Sequence, residues 1–307
     1  MILNILFIVI GIVLVLWGAD RLTDGAVAVA EKMKMPQIVI GLTIVAMGTS
    51  MPEFCVSLIS ALKGTSDLAV GNIVGSNIFN TLLIVGVSAL VAPMSIMKTT
   101  VRKDIPFALV ASALLLIMCL DGDISRIDAA ILFVMFLIFM YITLRGAKAQ
   151  GTDLEAKEKK PMATWLSVVW ILVGLACLIG GSNLFVDGAT AVATKLGVSE
   201  AVIGLTIVAG GTSLPELATS VVSARKGNSG IAIGNVLGSN VFNILAILGL
   251  TGVISPMTLK GITMTDLSMM VISIILIWLF SFTKYKIERW EGAILTAVFV
   301  GYIYSLL

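Results

Sequence analysis

Two glutamates, Glu53 and Glu216, lie deep inside otherwise apolar stretches, and each follows the same run, Gly-Thr-Ser-x-Pro. A charge at the centre of a membrane helix costs on the order of 3 kcal/mol, so something must compensate for it. No Lys or Arg lies at comparable depth to form an ion pair. A bound cation would compensate, and the neighbouring residues suit one. Thr49 and Ser50 stand four and three residues before Glu53, a spacing that puts them on its face of a helix. Thr212 and Ser213 stand in the same relation to Glu216. Pro52 and Pro215 lack an N–H and crowd the carbonyls of Gly48 and Gly211 one turn earlier, so an opened or kinked turn is expected there. Freed carbonyls in such a turn can face an ion. The next apolar segment supplies Ser76 and Asn80, four residues apart, and its later counterpart supplies Ser239 and Asn243. Asn72, Asn77, Asn235 and Asn240 read as hydrogen bonders between helices.

Every donor in this set is an oxygen, which suits a hard cation. Calcium takes six to eight oxygens from a flexible set, whereas magnesium demands a tight octahedron and gives up water reluctantly. Sodium is close to calcium in size, so one oxygen cage could hold either in turn, a physical basis for exchange. The chain has no histidine, which removes the commonest transition-metal ligand and the commonest proton shuttle near neutral pH. No HExxH and no pair of mid-span aspartates is present, so an intramembrane enzyme is excluded. An ion channel could use the same two carboxylates but would need no counter-ion. No organic or metal cofactor is expected, the cations being cargo.

The elements that must position these residues come in two copies. A shift of 163 residues lays GLTIVAMGTSMPE (Gly41 to Glu53) on GLTIVAGGTSLPE (Gly204 to Glu216), and GNIVGSNIFN (Gly71 to Asn80) on GNVLGSNVFN (Gly234 to Asn243). Of the 53 positions from Gly41 to Pro93, 29 are identical at this offset. The register continues without a gap: Asp24 meets Asp187, Arg126 meets Arg289, Asp128 meets Glu291 and Leu144 meets Leu307. Gly71 with Gly75, and Gly234 with Gly238, make GxxxG steps that allow close helix packing. The chain therefore divides into a first repeat at 1–145, a polar linker at 146–163 and a second repeat at 164–307.

Composition places these repeats in a bilayer. The 307 residues are 58% hydrophobic and only 12% charged, with a mean hydropathy of +1.08. A net charge of +2 with no long basic tract excludes nucleic acid as a partner. The apolar segments fall near 2–20, 38–62, 68–92, 104–120 and 125–145, then 164–183, 201–224, 231–254, 264–282 and 288–306. The expected fold class is thus an all-α membrane protein of ten transmembrane helices. The first segment has no basic residue before it and no cleavage site after it, so it reads as a retained helix rather than a signal peptide. Five segments per half force the second copy to enter the membrane from the opposite side. With both termini outside, sixteen of the twenty Lys and Arg fall on the inner side, including those of the linker. Inverted repeats with a midplane site are an architecture of secondary transporters. Cys55, Cys119 and Cys177 all lie in apolar stretches and read as small buried hydrophobes.

At GTSMPE with GNIVGSNIFN, and at GTSLPE with GNVLGSNVFN, the sequence resembles the two alpha repeats of the calcium/cation antiporter superfamily, in its sodium/calcium exchanger branch. The resemblance covers essentially the whole chain. It implies a ten-helix antiporter of the cell membrane that moves Ca²⁺ against Na⁺ by alternating access, working as a monomer. It implies ligands at Glu53, Glu216, Asn80, Thr49, Ser50, Thr212, Ser213, Ser76 and Ser239, and the backbone carbonyls of Ala46 and Ala209. It also implies that the first and sixth helices slide against the other eight. Asn243 matches a position where some members carry Asp, as Asn80 does in others. Potassium-dependent members are expected to have an acid there, so two asparagines argue against K⁺ co-transport. The proton-coupled branch, an H⁺/Ca²⁺ antiporter of similar fold, is the alternative.

Overall fold

The computed structural model describes residues 2–149, 162–197 and 209–306. Most of the expected linker, and residues 201–208 of the seventh apolar segment, lie outside the described residues. The rest is helical almost throughout. The helices are α1 (Ile2–Met33), α2 (Gln37–Thr49), α3 (Met51–Leu62), α4 (Ser66–Val91), α5 (Thr100–Asp121) and α6 (Arg126–Ala149). In the second half they are α7 (Thr164–Lys195), α8 (Ala209–Thr212), α9 (Leu214–Arg225), α10 (Ser229–Ile254), α11 (Met264–Ser281) and α12 (Arg289–Leu306). Among the described residues seven helices are long and apolar enough to cross a membrane, and the bent pair α2–α3 makes an eighth. Leu120, Ile127 and Leu172 are typical of the many large apolar side chains exposed on the outer surface. Such a surface belongs in lipid, and the protein is a multi-pass membrane protein.

The two halves meet in matched contacts. A Cβ on Gly11 would lie 2.7 Å from the Gly181 carbonyl oxygen, and one on Gly18 would lie 2.7 Å from that of Gly174. Gly25 faces Ser167 and Gly188 faces Asn4 at the same 2.7 Å. Numbering rises along α1 as it falls along α7, so the two helices pack antiparallel. Each partner is exchanged for its counterpart by the 163-residue shift. Two short antiparallel ladders repeat the pattern. Met94 and Ser95 (β1) pair with Ile287 and Lys286 (β4), while Asp123 and Ile124 (β2) pair with Thr258 and Met257 (β3).

Helices α4 and α10 form the centre. In their most apolar windows 72% and 94% of residues are buried, against 22% for α1 and 28% for α7. Gly234 and Gly238 let α10 touch the backbone of α2: an added Cβ would lie 2.6 Å from the carbonyl oxygens of Ile38 and Leu42. α2, α4, α5 and α10 each contain a widened, π-type turn, at Gly41–Val45, Phe79–Ile84, Thr100–Asp104 and Phe242–Leu248. Such turns leave carbonyls out of the regular α pattern and are frequent at functional sites.

Two expectations need correction. Helix α1 continues past residue 20 to Met33, and α7 past 183 to Lys195. At 1.5 Å per residue each is ~48 Å long, well beyond a ~30 Å hydrocarbon core. Arg21 and Lys32 are therefore helical rather than in a loop. The polar end of α1 is held by partners. Lys226, just after α9, bonds Asp20 at 2.6 Å and Asp24 at 2.8 Å, Arg21 pairs with Asp20, and Thr23 Oγ1 lies 2.9 Å from Ser223 Oγ. At the counterpart positions Asn183 stands for Asp20, and Lys63 and Asp187 are exposed with no ion pair among the described residues, so the halves are not exactly symmetric. Second, Cys55 is exposed on the outer face of α3, whereas Cys119 is buried and Cys177 partly so. Glu291 is also buried, and it begins α12, where its Oε2 accepts the Glu288 N–H at 2.7 Å as a helix cap.

Candidate cation site

The bend expected from the proline motif is present. α2 and α3 meet at 49°, with the break at Ser50 (φ −82°, ψ 10°) and Pro52 in the first turn of α3. Ser213 (φ −91°, ψ 7°) makes the same break between α8 and α9, with Pro215 in the same place. Because Pro52 and Pro215 have no N–H, the carbonyls of Gly48 and Gly211 have no donor one turn on. The break also makes each glutamate a first-turn residue of a new helix. Helix N-termini stabilise negative charge, so the fold itself offsets part of the cost of two buried carboxylates. Spacing alone did not reveal this second consequence of the proline.

Both carboxylates are 1% exposed, and each is held by the other copy's serine. Ser213 Oγ donates to Glu53 Oε1 at 2.9 Å, and Ser50 Oγ donates to Glu216 Oε1 at 2.9 Å. The helix-face spacing placed Ser50 beside Glu53 and Ser213 beside Glu216. In the structure the chain breaks at each Ser, and each donates instead to the other copy's carboxylate. Ser76 Oγ joins the first arm, at 3.3 Å from Glu53 Oε1 and 3.1 Å from Ser213 Oγ. Thr49 Oγ1 reaches across to Asn235 Oδ1 at 3.0 Å. Thr212 is half-buried at the end of α8 and has a partner of its own. The Ala46 carbonyl accepts from Ser50 N at 3.0 Å and Thr49 Oγ1 at 3.3 Å. Ala209 opens α8, and its side chain lies outside the described residues.

A ring of amides supports the carboxylates. Asn72 Nδ2 donates to the Glu53 carbonyl at 3.2 Å and to Ser57 Oγ at 3.0 Å. Asn235 Nδ2 does the same for the Glu216 carbonyl at 3.3 Å and Ser220 Oγ at 3.0 Å. Asn80 Nδ2 donates to Asn240 Oδ1 at 3.2 Å, and Asn243 Nδ2 donates to Asn77 Oδ1 at 3.0 Å. The four asparagines read as helix bridges do bridge helices. Their serine partners Ser57 and Ser220 were missed, although both fall on identical positions of the repeat.

Among the described residues, five buried oxygens of this cluster have no hydrogen-bond partner: Glu53 Oε2, Glu216 Oε2, Asn80 Oδ1, Asn243 Oδ1 and Ser239 Oγ. Buried polar atoms without partners are uncommon and costly. All five belong to expected site residues, and all are oxygens that a cation could satisfy. Among the described residues no group of three or more His, Cys, Asp or Glu exists, so any cation here would rely on neutral oxygens besides the two carboxylates.

The chain is similar to known proteins over its whole length. A family model described as sodium/calcium exchanger protein matches residues 3–145 and 166–307. CaxA of Alkalimonas amylolytica is 39% identical over 316 aligned residues, covering 100% of this chain and 99% of the relative. The sodium/calcium exchanger MaX1 of Methanosarcina acetivorans is 32% identical, covering 99% of this chain and 98% of its own. A solved structure of the sodium-calcium exchanger NCX_Mj, soaked with Na⁺ and Ca²⁺, superposes with a TM-score of 0.88 at 32% identity, covering 100% of this chain and 99% of that one.

Proposed function

From the premise that the chain belongs to the sodium/calcium exchanger family, we propose that it exchanges Ca²⁺ for Na⁺ across the cell membrane by alternating access. The observation that carries this reading is the pair of crossed serine–glutamate bonds, with five oxygens left unpartnered around them. Glu53 and Glu216 supply the charge, and Asn80, Asn243, Thr49, Ser50, Thr212, Ser213, Ser76 and Ser239 supply neutral oxygens, with the carbonyls of Ala46 and Ala209. Two carboxylates neutralise one Ca²⁺, or share two or more Na⁺ with the amides and hydroxyls. An empty site would leave two buried carboxylates uncompensated. The state between inward and outward openings is therefore reached with a cation aboard, which couples the two fluxes. Family relatives named as sodium/calcium exchangers favour Na⁺ as the counter-ion.

The architecture proposed for this cycle is ten transmembrane helices in two inverted five-helix repeats, 1–145 and 164–307. The matched glycine and strand contacts support it. The charge distribution puts both termini outside and linker 146–163 in the cytoplasm. The long pair α1 and α7 would slide against the rest. The tie of Asp20 and Asp24 to Lys226 would hold one end of that slide, since Asn183 in place of Asp20 leaves the other half without the same pair. A monomer in the bilayer holds the whole site.

Purified protein in liposomes should take up ⁴⁵Ca²⁺ when an outward Na⁺ gradient is imposed, with saturation and without a K⁺ requirement. Uptake that follows a pH gradient and ignores Na⁺ would assign the protein to proton coupling instead. Flux that needs no counter-ion would make it a channel.

A further inference from the structure

An asparagine is useful to a cation only one way round: its carbonyl oxygen attracts the ion, and its NH₂ repels it. Carboxylates have no such wrong face. Two ligands of the proposed site, Asn80 and Asn243, are amides 1% exposed. Something must set their orientation, and the hydrogen bonds behind them do so without ambiguity.

The first line of bonds starts at a main-chain carbonyl. Thr81 Oγ1 donates its one proton to the Asn77 carbonyl at 2.7 Å. That hydroxyl can then only accept, so the Asn240 side chain 2.7 Å away must present its Nδ2 to it. Asn240 Oδ1 consequently faces Asn80, whose nearer atom, at 3.2 Å, must be Nδ2. Asn80 Oδ1 is left on the far side, buried and unpartnered. A second line starts at the Asn240 carbonyl. It accepts Asn77 Nδ2 at 3.2 Å, which turns Asn77 Oδ1 toward Asn243. Asn243 must answer with Nδ2, at 3.0 Å, and its Oδ1 is again the unpartnered atom. Each line begins at a group that cannot be reversed, so amide polarity is fixed by parity at every step.

We propose that Thr81, Asn240 and Asn77 are positioning residues that lock the Asn80 and Asn243 amides with their oxygens toward the cation. This rests on the reading of Asn80 and Asn243 as ligands. It explains how a site with only two formal charges keeps its neutral donors in the attractive orientation. It also assigns a task to Thr81, whose counterpart in the other repeat is Ile244 and cannot perform it. The two lines differ for that reason: one runs through a hydroxyl and the other directly from a carbonyl.

The test uses the full-length protein in liposomes and reads the Ca²⁺ concentration for half-maximal exchange separately from the maximal rate. Thr81→Val keeps shape but removes the hydroxyl, which frees Asn240 and then Asn80 to reverse. Half-saturating Ca²⁺ should rise roughly 2- to 10-fold with the maximal rate nearly kept, and Thr81→Ser should behave as wild type. Asn80→Asp makes the ligand two-faced. In that background the orientation of the ligand no longer matters, and Thr81→Val should shift half-saturation far less than it does in the wild type. In an Asn243→Asp background, which adds the same charge outside this line, the full penalty should remain. An equal penalty in all three backgrounds, or none in any, overturns the orientation lock while leaving the exchanger reading intact. A wild-type protein with no saturable Ca²⁺ dependence overturns the exchanger reading, and the lock with it.

Discussion

Glu53 and Glu216 each take a hydrogen bond from the opposite copy's serine, so neither repeat holds a complete site. Glu53→Gln or Glu216→Gln removes one of two charges while keeping the shape and the serine contact. Each should abolish Ca²⁺ exchange in a liposome assay, yet leave the protein monodisperse on gel filtration; wild-type transport by either variant contradicts the assignment. Ser213→Ala should raise half-saturating Ca²⁺ by a factor set by one buried charge-assisted bond, about 1.5–3 kcal/mol or roughly 10- to 100-fold at most. Ser50→Ala should do the same through Glu216, and an effect confined to one serine would break the pairing. The glutamates and their oxygen-rich neighbours were legible because a buried carboxylate needs a partner and no Lys or Arg was there. The crossing of Ser50 and Ser213 was not legible, because helix spacing assumes a continuous helix and the proline that motivates the site also interrupts one.

At the scale of elements, α1 and α7 are in backbone contact along four glycine-mediated steps. A side chain on Gly18 meets the carbonyl of Gly174, which belongs to a rigid helix and cannot give way. Gly18→Leu should force the pair apart, and because close packing is the main source of helix association in lipid, thermal unfolding in detergent should occur several degrees lower. An unchanged melting temperature would mean that the helices are not this close. The ion pairs make a second, asymmetric forecast. Lys226→Met leaves Asp20 and Asp24 without their partner on α9 and should cost up to about 1 kcal/mol. Lys63→Met removes an exposed residue with no ion pair among the described residues and should leave the melting curve unmoved. Helix positions could be read from hydropathy, but the ends of α1 and α7 could not. Polarity rises at Asp20, and only tertiary contacts with Lys226 and Ser223 show that the chain stays helical there. The widened turns in α2, α4, α5 and α10 left no signal in composition or spacing.

For the whole molecule, the contacts of the α1–α7 interface and of the two strand ladders are exchanged by the same 163-residue offset that relates the two halves of the sequence. The departure from symmetry at Lys226 and Lys63 is itself partly written in the offset, because the counterpart of Asp20 is Asn183, which cannot pair with a lysine. The proposed orientation gives a direct outcome: a cysteine at Lys157 in a background lacking the three native cysteines should react with an impermeant maleimide only in inside-out vesicles. The central claim is that two copies of one motif build a single oxygen cage serving both cations. Equilibrium binding of ⁴⁵Ca²⁺ to the purified protein, titrated with Na⁺ at constant ionic strength, tests it most directly. Competitive displacement by Na⁺, with no saturable Ca²⁺ binding left in Glu53→Gln, is the predicted result; Ca²⁺ binding that persists unchanged at saturating Na⁺, or survives the loss of Glu53, would contradict it.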